Sequence, residues 1–76
     1  MYIPGTIVER DGRFFVVLAC ENDEYILIGT DSIRWHHSEE EIGLPDEPLS
    51  EAKAEAVEAL RLIAHDASTA LGLILP

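Results

Sequence analysis

The sequence predicts an α+β fold: a small antiparallel meander of three or four strands followed by one C-terminal helix. Residues 2–30 contain β-rich runs separated by turn residues, a pattern typical of a meander. Residues 50–71 combine strong helix formers with apolar residues at three- to four-residue spacing, which indicates an amphipathic helix. Seventy-six residues correspond to a single domain, residues 1–76, and the sheet could stay open or close partly as an SH3-like barrel.

Two turns divide the meander into its strands. The dipeptide Asp11-Gly12 favours a type I′ hairpin, in which both central residues have positive φ, and it separates strands predicted over residues 2–9 and 14–20. Residues 14–20 are all apolar, so this strand should be central and buried on both faces. A polar turn over residues 21–24 then leads into a third strand over residues 25–28.

Residues 31–49 are predicted to form an acidic connector, because proline and glycine interrupt any regular pattern there. Ser38 followed by Glu41 fits a capping box and predicts one short helical turn over residues 39–42. A loop of this length in a small domain is either functional or held down by its own apolar residues. The available ones are Ile33, Trp35, Ile42 and Leu44.

The C-terminal helix is predicted over residues 50–71, with Ser50 as its N-cap and Gly72 just beyond its end. An alternative stays open, in which the helix stops near Asp66 and residues 70–75 form a fourth strand. The predicted apolar stripe of the helix consists of Ala52, Ala56, Leu60, Ile63, Ala67, Ala70 and Leu71.

The net charge of −10 is concentrated in the middle of the chain. Residues 21–47 contain nine acidic residues and one arginine, which gives this window a charge of −8. A dense anionic surface repels nucleic acid and membranes and attracts basic proteins. The first residues lack the basic and apolar regions of a signal peptide, so we expect none. No apolar run is long enough to span a bilayer, and the single cysteine fits a reducing compartment. We therefore expect a cytoplasmic protein.

These properties predict a small acidic protein-interaction module and not an enzyme, since a chain this short rarely encloses a substrate pocket. The module would be an inhibitor, antitoxin-like protein or phage-type regulator that occludes a basic, nucleic-acid-binding surface of a partner protein. Trp35 would anchor the complex, and acidic residues would steer its formation. The steering residues are Glu21, Asp23, Glu24, Glu39, Glu40, Glu41, Asp46 and Glu47.

An alternative function stays open. The chain could be a structural or accessory subunit that homodimerises through its apolar helix and C-terminal segment, with no ligand chemistry. A strand buried on both faces needs two covers, and a second copy could supply one of them. We expect a homodimer, no direct contact with nucleic acid and no membrane association.

Other candidate sites have simpler interpretations. His36 and His37 precede three glutamates, but adjacent histidines in a strand point apart, so we expect neither a metal site nor a cofactor. Cys20 ends an apolar strand and is interpreted as a small buried hydrophobe, not as a nucleophile assembled with His65 and Asp66.

The order of hairpin, third strand and Ala/Glu-rich helix is loosely similar to small antitoxins of the HicB type, which have a partial RNase-H-like fold. The similar stretches are VERDGRFFV at residues 8–16 and SEAKAEA at residues 50–56, whereas the PDLPGC-like segment expected between them is missing. Residues 4–8, PGTIV, are equally similar to the start of small SH3-like barrels. Both resemblances imply a small binding protein.

Overall fold

The computed structural model describes residues 1–46 and 48–70, except the side chains of Ser68 and Ala70, and it confirms the α+β class. Four strands form one antiparallel sheet in the order β1-β2-β3-β4, and one helix follows them. The sheet is an open meander and does not close into a barrel. The strands are β1 (Ile7–Arg10), β2 (Arg13–Glu21), β3 (Glu24–Ile28) and β4 (Arg34–Ser38); a 3-10 turn (Glu39–Glu41) and helix α1 (Glu51–Ala70) complete the fold.

Both hairpins have the predicted tight turns. Asp11 and Gly12 have φ values of 50° and 78°, and Asn22 and Asp23 have values of 51° and 64°, as type I′ turns require. The first strand is shorter than predicted and begins only at Ile7. The preceding residues turn instead, because the Thr6 backbone N–H and hydroxyl both donate to the Ile3 carbonyl.

Strand β2 is buried on both faces, as its continuous apolar sequence predicted. On one side, here called the helix face, Val16 and Leu18 pack with Leu60 of α1. On the other side, the connector face, Phe15 and Val17 pack in a second cluster. This second cluster also contains Val8, Tyr25, Leu27 and Ile42, with Tyr2 and Trp35 packed against it.

Strand β4 was not predicted, because residues 34–38 were assigned to the irregular connector. It pairs with β3 in antiparallel register, with Trp35 opposite Leu27 and Ser38 opposite Glu24. Residues 34–37 alternate between exposed and partly buried, which is the period expected of a strand with one covered face. The sequence of this strand, Arg-Trp-His-His-Ser, contains one apolar residue, so it has no apolar alternation that would predict a strand.

After β4 the chain crosses the connector face and returns to the opposite edge of the sheet. The predicted capping box is confirmed, because the Glu41 carboxylate accepts from the Ser38 backbone N–H at 2.9 Å. Ile42 is then buried in the connector-face cluster. Gly43 bridges to Glu9 through two backbone hydrogen bonds of 2.7 and 3.1 Å, so the chain covers part of the outer edge of β1.

Helix α1 begins after Ser50, whose hydroxyl accepts from the Lys53 backbone N–H at 3.3 Å and so caps the helix as predicted. It continues to Ala70, so the alternative in which it stops near Asp66 is wrong. No described helix is long and apolar enough to cross a membrane. Gly72, predicted to follow the end of the helix, and residues 71–75 of the alternative fourth strand lie outside the described residues.

The buried side of α1 only partly matches the predicted stripe. Leu60 is buried, and Ile63 and Ala67 pack against the sheet, as predicted. Ala52 is exposed, whereas Val57 and Ala64 are buried without having been assigned to the stripe. The part of the predicted stripe around Leu60, Ile63 and Ala67 therefore covers the sheet within the chain.

Candidate functional site

Strand register brings acidic residues from two separate segments to one end of the sheet. Glu21 lies directly opposite Glu24 across the β2–β3 hairpin, and Glu24 lies opposite Ser38 of β4. Glu39 and Glu40 follow Ser38 in the chain, so they continue from the same end. We call this set the acidic end. It consists of Glu21, Asp23, Glu24, Glu39 and Glu40, all of which are exposed.

The Glu21–Glu24 pair is unfavourable for the hairpin by itself. Like charges directly opposite each other on antiparallel strands destabilise the pair. Asp23 adds a third carboxylate in the turn between them. Within the described residues none of these three side chains has an ion pair that would offset the repulsion. The acidic end therefore has charge that packing of the sheet does not require.

Glu39 is held in place by contacts within the chain. Its Oε1 atom lies 3.1 Å from the N-terminal ammonium group of Met1 and accepts from the Tyr25 hydroxyl at 3.0 Å. The hydrogen bond from the N-terminus, and then that from Tyr25, lowers the pKa of Glu39. Glu39 therefore stays ionised, with about half of its side chain exposed to solvent.

Glu41 was predicted as a steering residue, but its carboxylate is turned toward an arginine. Its Oε2 atom accepts from Arg10 at 2.6 Å, and its Oε1 atom accepts from the Ser38 hydroxyl at 3.1 Å. The Ser38 backbone N–H, and then Arg10, lowers the pKa of Glu41 to about 2. The structure thus places Glu41 in an ion pair that ties β1 to the segment after β4.

The structure does not bring Trp35 or Asp46 to the acidic end. Trp35 is three residues from Ser38 along β4, about 10 Å at the rise of a strand, and it packs on the connector face. Asp46 follows Gly43, which lies beside β1 at the opposite edge of the sheet from β4. Glu47 lies outside the described residues.

The other end of the sheet has a cationic and aromatic cluster that the sequence analysis did not identify. The Arg13 guanidinium lies 5.2 Å from the Trp35 ring centroid and pairs with Asp31 at 3.2 Å. Arg10 Nη1 lies 2.7 Å from His37 Nδ1, and the His37 ring stacks on Trp35 at 6.3 Å. The sequence did contain one indication of this cluster. Arg10 and Arg13 flank the predicted Asp-Gly turn, so a hairpin places them opposite each other.

This cluster surrounds a cavity of about 150 Å³, but its contacts are those of a structural element. Each of the two guanidinium groups already has a carboxylate partner in Glu41 or Asp31. A positively charged ligand would meet both arginines, and an anionic one would compete with those carboxylates. The cavity is lined by Arg10, Asp11, Arg13, Phe15, Trp35 and His37.

The structure separates the two adjacent histidines and exposes the cysteine. His36 is exposed on the helix face, whereas His37 is half-buried on the connector face, so the two rings lie on opposite sides of β4. Among the described residues no three His, Cys, Asp or Glu side chains are placed to hold a metal ion. Cys20 is exposed, so the prediction that it is buried was wrong.

The comparisons with known proteins add no family to this description. No protein-family model matches the chain, and no significant match was found among curated proteins or solved structures.

Proposed function

We propose that this protein is a small acidic interaction module that inhibits or regulates a partner by covering a basic, nucleic-acid-binding surface of that partner. The observation that carries the proposal is the acidic end, where strand register collects carboxylates from a hairpin and from the segment after β4. A sheet end of this kind presents negative charge from a rigid support, which favours complementary docking over general attraction.

The spacing of carboxylates at the acidic end is similar to the spacing of phosphate charges along a nucleic acid. Neighbouring strands lie about 5 Å apart, so β2, β3 and β4 present carboxylates across about 10 Å. DNA carries one phosphate charge per about 3.4 Å of axis on each strand, which is a comparable density. A basic surface that binds phosphates could therefore accept the acidic end in their place.

The cost of the Glu21–Glu24 pair also supports an interaction role. Two opposed glutamates with an aspartate between them repel each other in the free protein. A cationic surface relieves that repulsion on binding, so part of the binding free energy comes from the removal of strain in the free module. The remaining acidic residues at this end would then raise the association rate.

The experiment compares two charge-reversal variants of equal net charge. Glu21→Lys with Glu24→Lys changes the acidic end, and Glu55→Lys with Glu58→Lys changes two exposed positions on α1. The native source supplies the candidate partners, which are captured on immobilised protein and eluted with increasing NaCl. We expect wild type and the helix variant to retain a basic protein, and the acidic-end variant to lose it.

Two further measurements decide the mechanism. The captured protein should be released by a few hundred mM salt and by added duplex DNA or RNA, because the proposed site competes with phosphates. Equal loss of capture in both variants would show that only net charge matters. Capture that resists salt and nucleic acid would also refute the proposal.

A further inference from the structure

The two edges of the sheet differ in whether their backbone groups are paired. At the outer edge of β1, Glu9 exchanges two hydrogen bonds with Gly43. β4 is the other edge strand, and no described segment pairs with its outer side. An unpaired edge offers backbone N–H and C=O groups to another strand, and proteins normally protect or use such an edge.

The backbone groups that β4 leaves open can be identified. The Ser38 N–H donates to Glu41, so it points away from β3. Orientation alternates along an antiparallel strand, so the N–H and C=O groups of His36 and Arg34 also point outward. The β2–β3 hairpin gives the same orientation. The backbone N–H and C=O groups of Glu24 point toward Glu21 across the two-residue turn, so they do not bond to the backbone of Ser38 in β4.

Two unpaired charges lie at opposite ends of this open edge. Arg34 is exposed at the start of β4, and Glu40 is exposed just after its end. Neither side chain has an ion pair or side-chain hydrogen bond with another of the described residues. An antiparallel partner of the same sequence would place the arginine of each copy near the glutamate of the other.

We propose that β4 pairs antiparallel with β4 of a second copy, with His36 facing its own counterpart across a two-fold axis. His36 then exchanges two backbone hydrogen bonds with its counterpart, and each Arg34 N–H donates to the Ser38 carbonyl of the other copy. The Ser38 N–H keeps its bond to Glu41. The two sheets become one continuous sheet with closed two-fold symmetry, the commonest form of oligomer.

Charge selects this register over the nearest alternative. With the axis at Trp35, Arg34 would oppose His36 of the other copy and lie diagonal to its Arg34, which brings like charges together. With the axis at His36, Arg34 opposes Ser38, and Glu40 follows Ser38 by two residues in the 3-10 turn (Glu39–Glu41). This register brings the two long side chains of Arg34 and Glu40 of opposite copies to the same end of the paired strands, so it favours two ion pairs instead of a repulsion.

Sedimentation equilibrium of the full chain tests the interface through Arg34. We expect a concentration-dependent dimer whose Kd rises by roughly tenfold or more in Arg34→Glu, because both ion pairs become repulsive. Arg61→Glu is the matched control, since it makes the same charge change on an exposed position of α1 and should leave Kd within about threefold. The charge swap Arg34→Glu with Glu40→Arg should restore dimerisation and show that the loss in the single variant comes from charge at the interface.

A backbone variant tests the edge itself. His36→Pro removes an N–H that points outward and no bond to β3, so near-ultraviolet circular dichroism should be retained while the dimer dissociates. A protein that remains monomeric at all concentrations up to about 1 mM would overturn the proposal. So would equal weakening by Arg34→Glu and Arg61→Glu, or a dimer that both His36→Pro and Arg34→Glu leave unchanged.

Discussion

The two faces of the sheet are covered in different ways, although strand β2 supplies side chains to both. On the helix face one continuous element, α1, covers the strands, and the cluster of Val16, Leu18 and Leu60 is entirely apolar. On the connector face the cover comes from separate short segments around Tyr2 and Ile42. A cover made of short segments needs other contacts to hold those segments in place.

Those other contacts are polar and partly ionic. The N-terminus is fixed by the ion pair of Met1 with Glu39 and by the Tyr2 N–H, which donates to the Tyr25 hydroxyl at 2.9 Å. The segment after β4 is fixed by Glu41 through Arg10 and Ser38. The difference teaches that stability on the helix face depends on apolar burial, whereas stability on the connector face also depends on ionised carboxylates.

The largest expected effect comes from matched cavities on the two faces. Leu60 and Leu27 are both fully buried, one on each face. Replacement of either by alanine should lower the free energy of unfolding by about 2–5 kcal/mol, because the lost contacts are only partly recovered by relaxation. Urea denaturation at pH 7 measures both values. Leu62→Ala, at a position that is 71% exposed, is the control and should change stability by less than about 0.5 kcal/mol.

A small loss of stability in only one of the two variants would contradict the interpretation that both faces are packed cores. If Leu27→Ala cost less than about 1 kcal/mol while Leu60→Ala cost the expected amount, the connector face would not be a packed core. Its cluster would then be a surface layer that polar contacts hold against the sheet. Equal losses would show that both covers exclude water to the same extent.

The sequence predicted the helix face more completely than the connector face for a physical reason. Seven consecutive apolar residues require burial on both sides, and a capped run of helix formers with apolar residues supplies one cover. The turn residues also predicted both hairpins, because Asp11-Gly12 and Asn22-Asp23 tolerate positive φ. The other cover depends on contacts between distant residues, such as Gly43 with Glu9, which have no local pattern.

The candidate site was predictable in composition and only partly in geometry. The charge window included Glu21, Asp23, Glu24 and Glu40, which the structure places at one end of the sheet. Their convergence depends on β4, a strand whose polar sequence hides its period. For the same reason the sequence could not show that Glu41 is turned toward Arg10.

The second prediction uses pH to separate the two faces. The lowered pKa of Glu41, about 2 against a usual value of 4.5, means that its ionised form is stabilised in the folded protein. That contribution is fully present above about pH 4.5 and is lost as the pH falls toward 2. Glu41→Gln should therefore lower stability at pH 7 and reduce the loss of stability that wild type shows on acidification.

Urea denaturation at pH 7, 4 and 2.5 gives the comparison. Glu58→Gln is the matched control, because Glu58 is exposed on α1 and makes no ion pair with the described residues. Leu60→Ala should keep the full pH dependence of wild type, since the helix face has no part in it. An unchanged acid transition in Glu41→Gln would contradict the assignment. The effect should be smaller than that of a cavity, because the side chain is 43% exposed and its charge is screened.

The smallest expected effect concerns a polar atom on the connector face. The indole Nε1 of Trp35 is buried and has no hydrogen-bond partner among the described residues. A buried N–H without a partner costs free energy, so Trp35→Phe removes a penalty together with part of the ring. The phenyl ring can still contact Phe15, which lies 6.3 Å from the indole centroid, and can still lie under Arg13.

We therefore expect Trp35→Phe to lower the free energy of unfolding by less than about 1 kcal/mol, and Trp35→Ala to lower it by clearly more, because alanine removes the ring and exposes the cluster beneath it. Urea denaturation followed by far-ultraviolet circular dichroism measures both variants without the tryptophan signal. A loss in Trp35→Phe as large as that in Trp35→Ala would mean that the indole N–H is satisfied in solution. The connector face would then be held by one more polar contact than the geometry shows, and its difference from the helix face would be greater.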